Sequence, residues 1–448
     1  MSVVKVDVAR KTVLDSASMS LRGWSIRTCA IVIVGVSTRV AAAQPRVEID
    51  VAQDRGAVNR LVYGGNLEFI GQNTPEVATL AGGLPLWRFP GGDADGAFRW
   101  DATMSLAPLC SRPGGWTWDL AANLAVRQRV SMLLETNLSQ TNAANVADWV
   151  ADARRRGVTV AWVGIGNEVW GDWDASYRPA ARYAQDVREH ATAIRARVPG
   201  TRVALSIGTS NEDTWNREAL RRTADVIDAV DYHFYPNHRE WGATTPAEVM
   251  AGAEAVGPLV GRLRAMIRAE APARAEAIQV LFGEWDGAAD APFPMAERVT
   301  PRAYAIWSMS DAIFYGSALG EMLTAGVGAA MFYEVQGYRF GAIPGNVCYT
   351  ADLRVRRPKV LVHQLYREHF GDRLVAVTPR SVPTYRSEGP TNWDGYAGDV
   401  PYVRVYASTA EGGRSLRVVV VNRGGATKVA SLTLDVRDFV PAARATVW

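Results

Sequence analysis

Eight short runs rich in β-branched and aromatic residues recur along the chain, and longer helical segments separate them. This alternation is typical of parallel β/α units, in which a helix follows each strand and crosses back over the sheet. Eight such units in succession predict an α/β chain with a closed (β/α)8 TIM barrel, which needs roughly 250 residues. The runs lie at residues 61–69, 84–89, 131–137, 159–166, 202–207, 230–235, 278–283 and 328–335.

A second domain follows the predicted barrel. After about residue 370 the helical pattern stops, and short alternating runs are separated by glycine-rich turns, which favours an all-β domain. Residues 46–51 also alternate and predict one further strand for that domain from the N-terminal side. The predicted organisation is an N-terminal strand within residues 44–58, a barrel at 59–370 and a C-terminal all-β sandwich domain at 371–448.

The N-terminal segment differs in charge and hydropathy from the rest. Arg22 and Arg27 precede an apolar run at 29–36, and three alanines end at Ala43. This pattern predicts a signal peptide over residues 1–43 and a secreted or periplasmic protein. The apolar run is shorter than the roughly 20 residues of a membrane-spanning helix. We therefore expect no stable membrane insertion after cleavage, and a membrane anchor is the alternative interpretation.

The remaining composition limits the partners. Residues 44–448 contain 43 Lys and Arg against 44 Asp and Glu, without a basic stripe, which argues against nucleic-acid binding. After cleavage, Cys110 and Cys348 would remain in an oxidising compartment, where a disulfide between them can form. The sequence does not indicate an oligomeric state.

Two glutamates stand where a barrel enzyme places its chemistry, at the C-terminal ends of strands. The fourth run ends in WVGIGNE, whose last residue is Glu168, and the seventh is followed by Glu284 in LFGEW. Glycoside cleavage uses two carboxyl groups, one to protonate the leaving oxygen and one to act at the anomeric carbon. The alternative for Glu168 is a structural role as an acid at a helix start, where it would complement the helix dipole.

Four motifs give this pair a family context. They are YGGNLE at 63–68, RFPGG at 88–92, GIGNEVWG at 164–171 and HFY at 233–235. Together with the glutamates after strands four and seven, they resemble clan A of the retaining glycoside hydrolases, and most of all its family 51-type α-L-arabinofuranosidases. The resemblance covers most of the barrel, and it also implies a trailing β-domain.

The resemblance implies a role for each matching residue. Glu168 would be the general acid/base and Glu284 the nucleophile, with Asn167 donating to the sugar 2-hydroxyl. Arg88 would keep Glu284 ionised, because a fixed guanidinium stabilises the charged form of a carboxyl. Four further residues would complete the substrate site: Tyr235 beside Glu284, Glu68 and His233 in the sugar pocket, and Asp93 in the arginine-containing loop.

Several alternatives stay open from the sequence. Asp93 stands where the family usually has Asn, and the eighth run, MFYEVQ, departs from the family pattern, so a β-xylosidase, β-glucosidase, endoglucanase or β-glucuronidase type is not excluded. A catalytically silent carbohydrate-binding protein is the alternative from another class. Trp285 directly follows Glu284 and is assigned to the substrate site, where it could stack on a sugar; packing in the core is the alternative. No cofactor or metal site is predicted, because the histidines lack the spacing of a zinc pair.

Overall fold

The structure is a computed structural model, and it describes most of the chain. The described residues are 2–7, 45–69, 73–92, 97–102, 115–172, 176–237, 245–287, 308–337, 343–344, 356–389, 394–424, 428–429, 431–442 and 445–448. Cys110, Cys348 and the predicted substrate residue Asp93 lie outside these ranges.

The predicted barrel is confirmed. Eight parallel strands close in the order β10-β3-β4-β5-β6-β7-β8-β9, so the first and last units pair with each other. All eight predicted runs supply one strand each. The strands are β3 (Gly64–Asn66), β4 (Leu86–Phe89), β5 (Ser131–Glu135), β6 (Thr159–Ile165), β7 (Val203–Ile207), β8 (Ala229–Phe234), β9 (Gln279–Trp285) and β10 (Ala329–Phe332).

Helices surround the barrel. The described helices are α1 (Pro75–Gly82), α2 (Trp118–Gln128), α3 (Ala143–Arg156), α4 (Ala180–Arg197), α5 (Asp213–Thr223), α6 (Pro246–Ala251), α7 (Val256–Glu270), α8 (Met309–Ala325) and α9 (Pro358–His369). Helix α3 shows how the sequence sets their ends. The Asn142 side chain accepts from the Asn145 amide at the start, and Gly157 ends the helix at φ +82°, a conformation that glycine adopts without steric cost.

The predicted all-β domain is also present. Its main sheet has six strands in the order β1-β18-β2-β13-β16-β17, and β2 comes from the N-terminal side of the barrel as expected. A two-stranded sheet pairs β14 with β15. Strands β11 and β12, which fall within the predicted barrel range, form another short pair. The strands are β1 (Ser2–Asp7), β2 (Arg46–Ala57), β11 (Gln336–Gly337), β12 (Ile343–Pro344), β13 (Arg373–Pro379), β14 (Thr384–Ser387), β15 (Gly398–Pro401), β16 (Val403–Ala410), β17 (Ser415–Asn422) and β18 (Ser431–Arg437).

An ion-pair cluster joins the β-domain to the barrel. Glu254, between α6 and α7, is buried and contacts Arg404 of β16 and Arg423 just after β17. Arg423 Nη1 lies 2.6 Å from Glu254 Oε1. Beside this cluster, the Tyr406 ring packs so closely on Gly320 of α8 that a methyl group there would overlap it. The two domains therefore meet through buried, specific contacts.

Some element boundaries differ from the predicted runs. Residues Arg60–Tyr63 form a short 3-10 turn rather than strand, because the Asn59 side chain accepts from the Leu61 amide and starts the turn there. The eighth strand ends at Phe332 instead of continuing to residue 335. Ser2–Asp7 pairs with β18, although it falls in the segment predicted as a leader; residues 8–44 lie outside the described ranges, so the leader stays a prediction. Among the helices that are described, none has the length and hydropathy to cross a membrane.

Candidate active site

Arg88 is the central cation of the barrel mouth. It lies near the end of β4 and only 1% of its side chain is exposed. Its Nη1 lies 2.7 Å from Glu284 Oε1 and 3.0 Å from Asn66 Oδ1. Its Nη2 donates to Asn167 Oδ1 at 2.7 Å and also contacts Glu135. One guanidinium thus holds groups from four strand ends in a fixed arrangement, which its planar fork of donors allows.

Glu284 is held as a carboxylate. Its other oxygen, Oε2, accepts a hydrogen bond of 2.7 Å from the Tyr235 hydroxyl. Burial opposes ionisation, but the charges of His233 and Arg88 and the hydrogen bonds from Tyr235 and Arg88 outweigh it, so the pKa of Glu284 lies below its ordinary value. Both carboxylate oxygens therefore have a donor, as a nucleophile kept ionised requires.

Glu168 lies on a turn after β6 that requires a glycine at position 166. Strand β6 ends at Ile165, and Gly166 follows at φ +75°, with Glu168 itself at φ +33°. A side chain at Gly166 would come within 2.5 Å of Val169 Cγ1 and 2.9 Å of Leu138. The Gly166 amide donates to the Thr136 hydroxyl at 2.9 Å, which ties the turn to the neighbouring strand end. Glycine is thus required at this point of the turn.

His233 bridges the two glutamates. Its Nδ1 lies 2.7 Å from Glu168 Oε1 and 3.5 Å from Glu284 Oε2. The ring is buried at the end of β8, where the pairing with β9 shifts register between Tyr232 and His233. Burial lowers the pKa of His233, but the carboxylate charge of Glu284 and the hydrogen bond to Glu168 raise it by a larger amount. The pKa of His233 therefore lies above its ordinary value. The imidazole therefore links the two carboxyl groups.

The two glutamates approach each other closely. One oxygen of Glu168, one of Glu284 and a nitrogen of His233 all lie within 4.8 Å of one another. Three such side chains could also ligate a metal ion, but the short His233–Glu168 contact already has the geometry of a hydrogen bond. The cluster is therefore best understood as a carboxyl pair with an imidazole between its members.

A second acidic group borders this centre. Glu68 follows β3, and Tyr333 and Glu334 follow the adjacent strand β10. The Tyr333 hydroxyl donates to Glu68, and the Glu334 carboxyl lies within hydrogen-bonding reach of the Glu68 carboxyl. Burial is the main cause that raises the pKa of Glu68, to about 7, and it also places the pKa of Glu334 well above its ordinary value.

A buried network lies behind the nucleophile strand. Lys359 of α9 contacts Asp286, two residues after Glu284, at 2.5 Å, and Asp311 of α8 at 3.5 Å. All three side chains are at most 1% exposed. Because the segment after β9 is fixed by a buried ion pair with two helices, the position of Glu284 is supported from outside the barrel.

The structure brings most of the predicted site residues together. Trp285 is the exception. Neighbouring residues of a strand point to opposite sides, so Trp285 faces helix α8 while Glu284 faces the barrel mouth. The indole is fully buried, with its ring centroid 4.3 Å from that of Tyr315 and 6.2 Å from that of Phe314. The indole therefore packs in the core, which is the alternative interpretation of Trp285, and its contact with substrate stays a prediction. The predicted residues that meet at the barrel mouth are Glu68, Arg88, Asn167, Glu168, His233, Tyr235 and Glu284.

Four residues of this site are not predicted from the sequence. Glu135 closes β5 and could have been noticed as an acid at a strand end, like Glu168 and Glu284. Tyr333 and Glu334 lie in the segment that departs from the family pattern, and that departure alone does not indicate which residues they contact. Asn66 was within a recognised motif, yet its contacts with the β9 and β10 backbone depend on barrel closure.

Comparisons by sequence give no match. No family model matches the sequence of the chain, and no curated protein is significantly similar to it in sequence.

Solved structures give clear matches in fold. The α-L-arabinofuranosidase of family 51 from Thermotoga petrophila RKU-1 superposes with a TM-score of 0.67 at 19% identity over 85% of each chain. A family 51 α-L-arabinofuranosidase from Bifidobacterium longum gives 0.69 at 19% identity, over 89% of this chain and 90% of the other. A family 44 xyloglucanase from Paenibacillus polymyxa gives 0.61 at 14% identity over 85% and 87%. The chain therefore shares the barrel-plus-β-domain fold of these clan A glycoside hydrolases.

Proposed function

We propose that this chain is a retaining glycoside hydrolase in which Glu168 is the general acid/base and Glu284 the nucleophile. The observation that carries the proposal is the approach of the two carboxyl groups, because one oxygen of Glu168 and one oxygen of Glu284 lie within 4.8 Å of each other. Retaining enzymes hold their carboxyl groups roughly 5–5.5 Å apart, whereas inverting enzymes need about 6.5–9.5 Å to admit a water molecule. The geometry favours double displacement.

The first half-reaction forms a glycosyl-enzyme. A Glu284 carboxylate oxygen bonds to the anomeric carbon as the bond from that carbon to the leaving oxygen breaks, and Glu168 delivers a proton to that oxygen. Arg88 and Tyr235 support this role, because they hold Glu284 ionised and aimed before the substrate arrives.

The second half-reaction releases the sugar. Glu168, now a carboxylate, takes a proton from water, and the water oxygen bonds to the anomeric carbon as the ester bond to Glu284 breaks. The anomeric configuration is retained after these two inversions. His233 contacts both glutamates and so stays beside Glu168 while its charge changes between the two steps.

The substrate can also be inferred. We infer exo-acting hydrolysis of α-L-arabinofuranosides on plant-type polysaccharides or oligosaccharides, without a cofactor. The motifs at 63–68, 88–92, 164–171 and 233–235 support this choice, as does the fold shared with solved arabinofuranosidases. The family 44 fold match is a reason to include other neutral sugars in the test.

A panel of aryl glycosides tests both the retaining mechanism and the choice of sugar. The wild-type protein is assayed against α-L-arabinofuranosides and against β-xylosides, β-glucosides and β-glucuronides, and NMR follows the anomer first released. The expected result is fastest turnover of the arabinofuranoside with retention of configuration. An inverted product would contradict double displacement, and binding without any turnover would favour the silent carbohydrate-binding alternative.

Two variants test the separate roles. Glu284→Ala should abolish turnover, and azide should rescue it with an inverted glycosyl azide, because azide then attacks from the side that Glu284 vacates. Glu168→Ala should retain activity on substrates with good leaving groups, and azide should give a product of retained configuration. The opposite pattern of products would exchange the two assignments.

A further inference from the structure

A carboxyl pair stands beside the catalytic glutamates. Glu68 and Glu334 follow β3 and β10, which are neighbours in the closed barrel, so both reach the same mouth. Their residues are only 6% and 4% exposed. Two carboxyl groups in such an enclosed site cannot both be ionised without a large electrostatic cost, and pairs of this kind share one proton.

Two glycines, Gly92 and Gly337, leave space for the Glu68 and Glu334 side chains, because neither glycine has a side chain of its own. A methyl group on Gly92 would overlap the Glu68 carboxyl and the Tyr333 hydroxyl, and a methyl group on Gly337 would overlap the Glu334 carboxyl. Glu334 Oε2 is buried and has no hydrogen-bond partner among the described residues. The Glu334 carboxyl is thus enclosed against the backbone at Gly337, and the Glu68 carboxyl receives its hydrogen bond from Tyr333, which is partly exposed.

The charges that face the pair come from three further elements. Glu284 of β9 acts unfavourably on both carboxyl groups, Arg88 of β4 stabilises the anion on Glu68, and Arg357 just before α9 stabilises an anion on Glu334. Tyr333 is the neutral donor. The balance favours one negative charge, and it favours placing that charge on Glu68, which has both a hydroxyl donor and the nearby guanidinium.

We infer that Glu334 is a positioning residue that keeps one proton between itself and Glu68 and thereby presents the Glu68 carboxylate to the sugar as a fixed hydrogen-bond acceptor. The inference rests on the proposed glycosidase function and deepens it toward the substrate class. A fixed anionic acceptor favours uncharged sugars, whose hydroxyl groups donate, and disfavours uronic acids, whose carboxylate would be repelled.

The pH dependence of KM tests the shared proton. Loss of that proton at alkaline pH places two adjacent anions beside Glu284, so the wild-type KM for a neutral aryl glycoside should rise there, with a smaller change in kcat. Glu334→Gln keeps a permanent donor and cannot lose a proton, so its KM should not show this alkaline rise. Glu334→Ala should raise KM by about tenfold to a hundredfold, the loss expected for a hydrogen bond to a charged group.

A variant without any change of charge provides an independent test. Gly337→Ala should displace the Glu334 carboxyl and raise KM as Glu334→Ala does. Gly261→Ala is the matched control, because a methyl group on that α7 residue meets no atom within 4 Å, and its KM should equal that of the wild type. Thermal unfolding of each variant confirms that the barrel is folded.

Infrared difference spectroscopy measures the protonation of the Glu68–Glu334 pair without any need for turnover. At neutral pH the wild-type protein should show the C=O band of a protonated carboxyl that is missing in Glu334→Gln. Absence of that difference, or a folded Glu334→Ala protein with the wild-type KM, would overturn the inference. If the wild type hydrolyses no aryl glycoside, the glycosidase proposal fails, while the infrared result still decides whether the proton is shared.

Discussion

Arg88 Nη1 lies 2.7 Å from Glu284 Oε1, and this ion pair is nearly inaccessible to solvent. Water screens such a pair weakly, so the guanidinium acts strongly on the carboxylate. The pair is not isolated, because Nη2 of the same guanidinium contacts Glu135, whose side chain is 1% exposed. One cation therefore serves two buried anions, and its replacement should affect both catalysis and folding.

Arg88→Lys should lower kcat and move the acidic limb of the kcat/KM profile to higher pH. Lysine keeps one charge but loses the fork that fixes Glu284, Asn167 and Glu135 together. Glu284 would then be less stabilised as a carboxylate, so its pKa would rise from its depressed value. Misalignment of the nucleophile should cost roughly a hundredfold in kcat, measured with an aryl glycoside across pH.

The control is Arg197→Lys, which changes an exposed arginine paired with Asp148. Exposed pairs contribute little, and both the activity and the pH profile should be those of the wild type. An unchanged acidic limb in a folded Arg88→Lys protein would contradict the role assigned to Arg88.

Tyr235→Phe should also weaken the stabilisation of the Glu284 carboxylate, because Tyr235 donates to Oε2 whereas Arg88 donates to Oε1. Loss of the 2.7 Å hydrogen bond to Glu284 Oε2 should raise the pKa of Glu284 and reduce kcat by about tenfold, the value of one hydrogen bond to a charged group. The acidic limb of kcat/KM should again move upward. Steady-state kinetics between pH 4 and pH 8 measure both effects.

Tyr63→Phe is the matched control for that substitution. The Tyr63 hydroxyl is buried and has no hydrogen-bond partner in the part of the chain that the structure describes. Its removal should leave kcat unchanged and should not lower the unfolding temperature. If both tyrosine variants had the same kinetics, the contact between Tyr235 and Glu284 would have no catalytic consequence.

The sequence predicts the barrel well because hydrophobic periodicity and strand spacing are local properties. It also predicts the places of Glu168 and Glu284, since the ends of parallel strands converge wherever a barrel closes. The partners of Arg88 were harder to predict. Glu135 becomes one of them only through the β4–β5 pairing, and no local pattern distinguishes it from an ordinary acid at a strand end.

Trp285 shows the limit of reasoning from adjacency in sequence. Its position directly after Glu284 suggests a place in the substrate site, but alternation along β9 turns its side chain toward Phe314 and Tyr315 of α8. The Glu68–Glu334 pair shows a complementary limit. Glu334 is 266 positions away from Glu68, and only the pairing of β10 with β3 brings them together.

Gly166→Ala should destabilise the protein and reduce activity together. Alanine at φ +75° is strained, and its methyl group would also lie 2.5 Å from Val169 and 2.9 Å from Leu138. The two effects should cost about 1–3 kcal/mol of unfolding free energy. Because Gly166 starts the turn that carries Glu168, kcat should fall as well, measured beside urea unfolding.

Gly157→Ala separates strain from steric overlap. Gly157 has φ +82°, yet no atom lies within 4 Å of a methyl group placed there. It ends α3 just before the start of β6, whereas Glu168 follows the opposite end of that strand. This variant should lose about 1 kcal/mol from backbone strain and keep its kcat. An equal loss of kcat in both variants would show that general destabilisation, and not displacement of Glu168, explains the effect.

Glu254→Gln should weaken the attachment of the β-domain to the barrel. The glutamine leaves Arg404 and Arg423 without their shared anion, and breaking a buried ion pair costs about 3–5 kcal/mol. The free energy of unfolding should fall by that order at pH 7, while kcat at moderate temperature should stay close to that of the wild type. The control is Glu218→Gln, which removes an exposed pair with Arg222 and should change the unfolding free energy by less than about 1 kcal/mol.

The effect of Glu254→Gln should depend on pH in a defined direction. Burial opposes ionisation of Glu254, but the hydrogen bond from Arg404 and the charge of Arg423 outweigh it, so its pKa in the folded protein is lowered from 4.5. The unfolded chain therefore takes up a proton first as the pH falls, and the stability that ionised Glu254 contributes is complete above pH 4.5 and declines below it. The difference in unfolding free energy between wild type and Glu254→Gln should be largest at neutral pH and shrink as the pH falls through the folded-state pKa. A difference that stays constant from pH 7 to pH 3 would show that the carboxylate charge does not stabilise the interface.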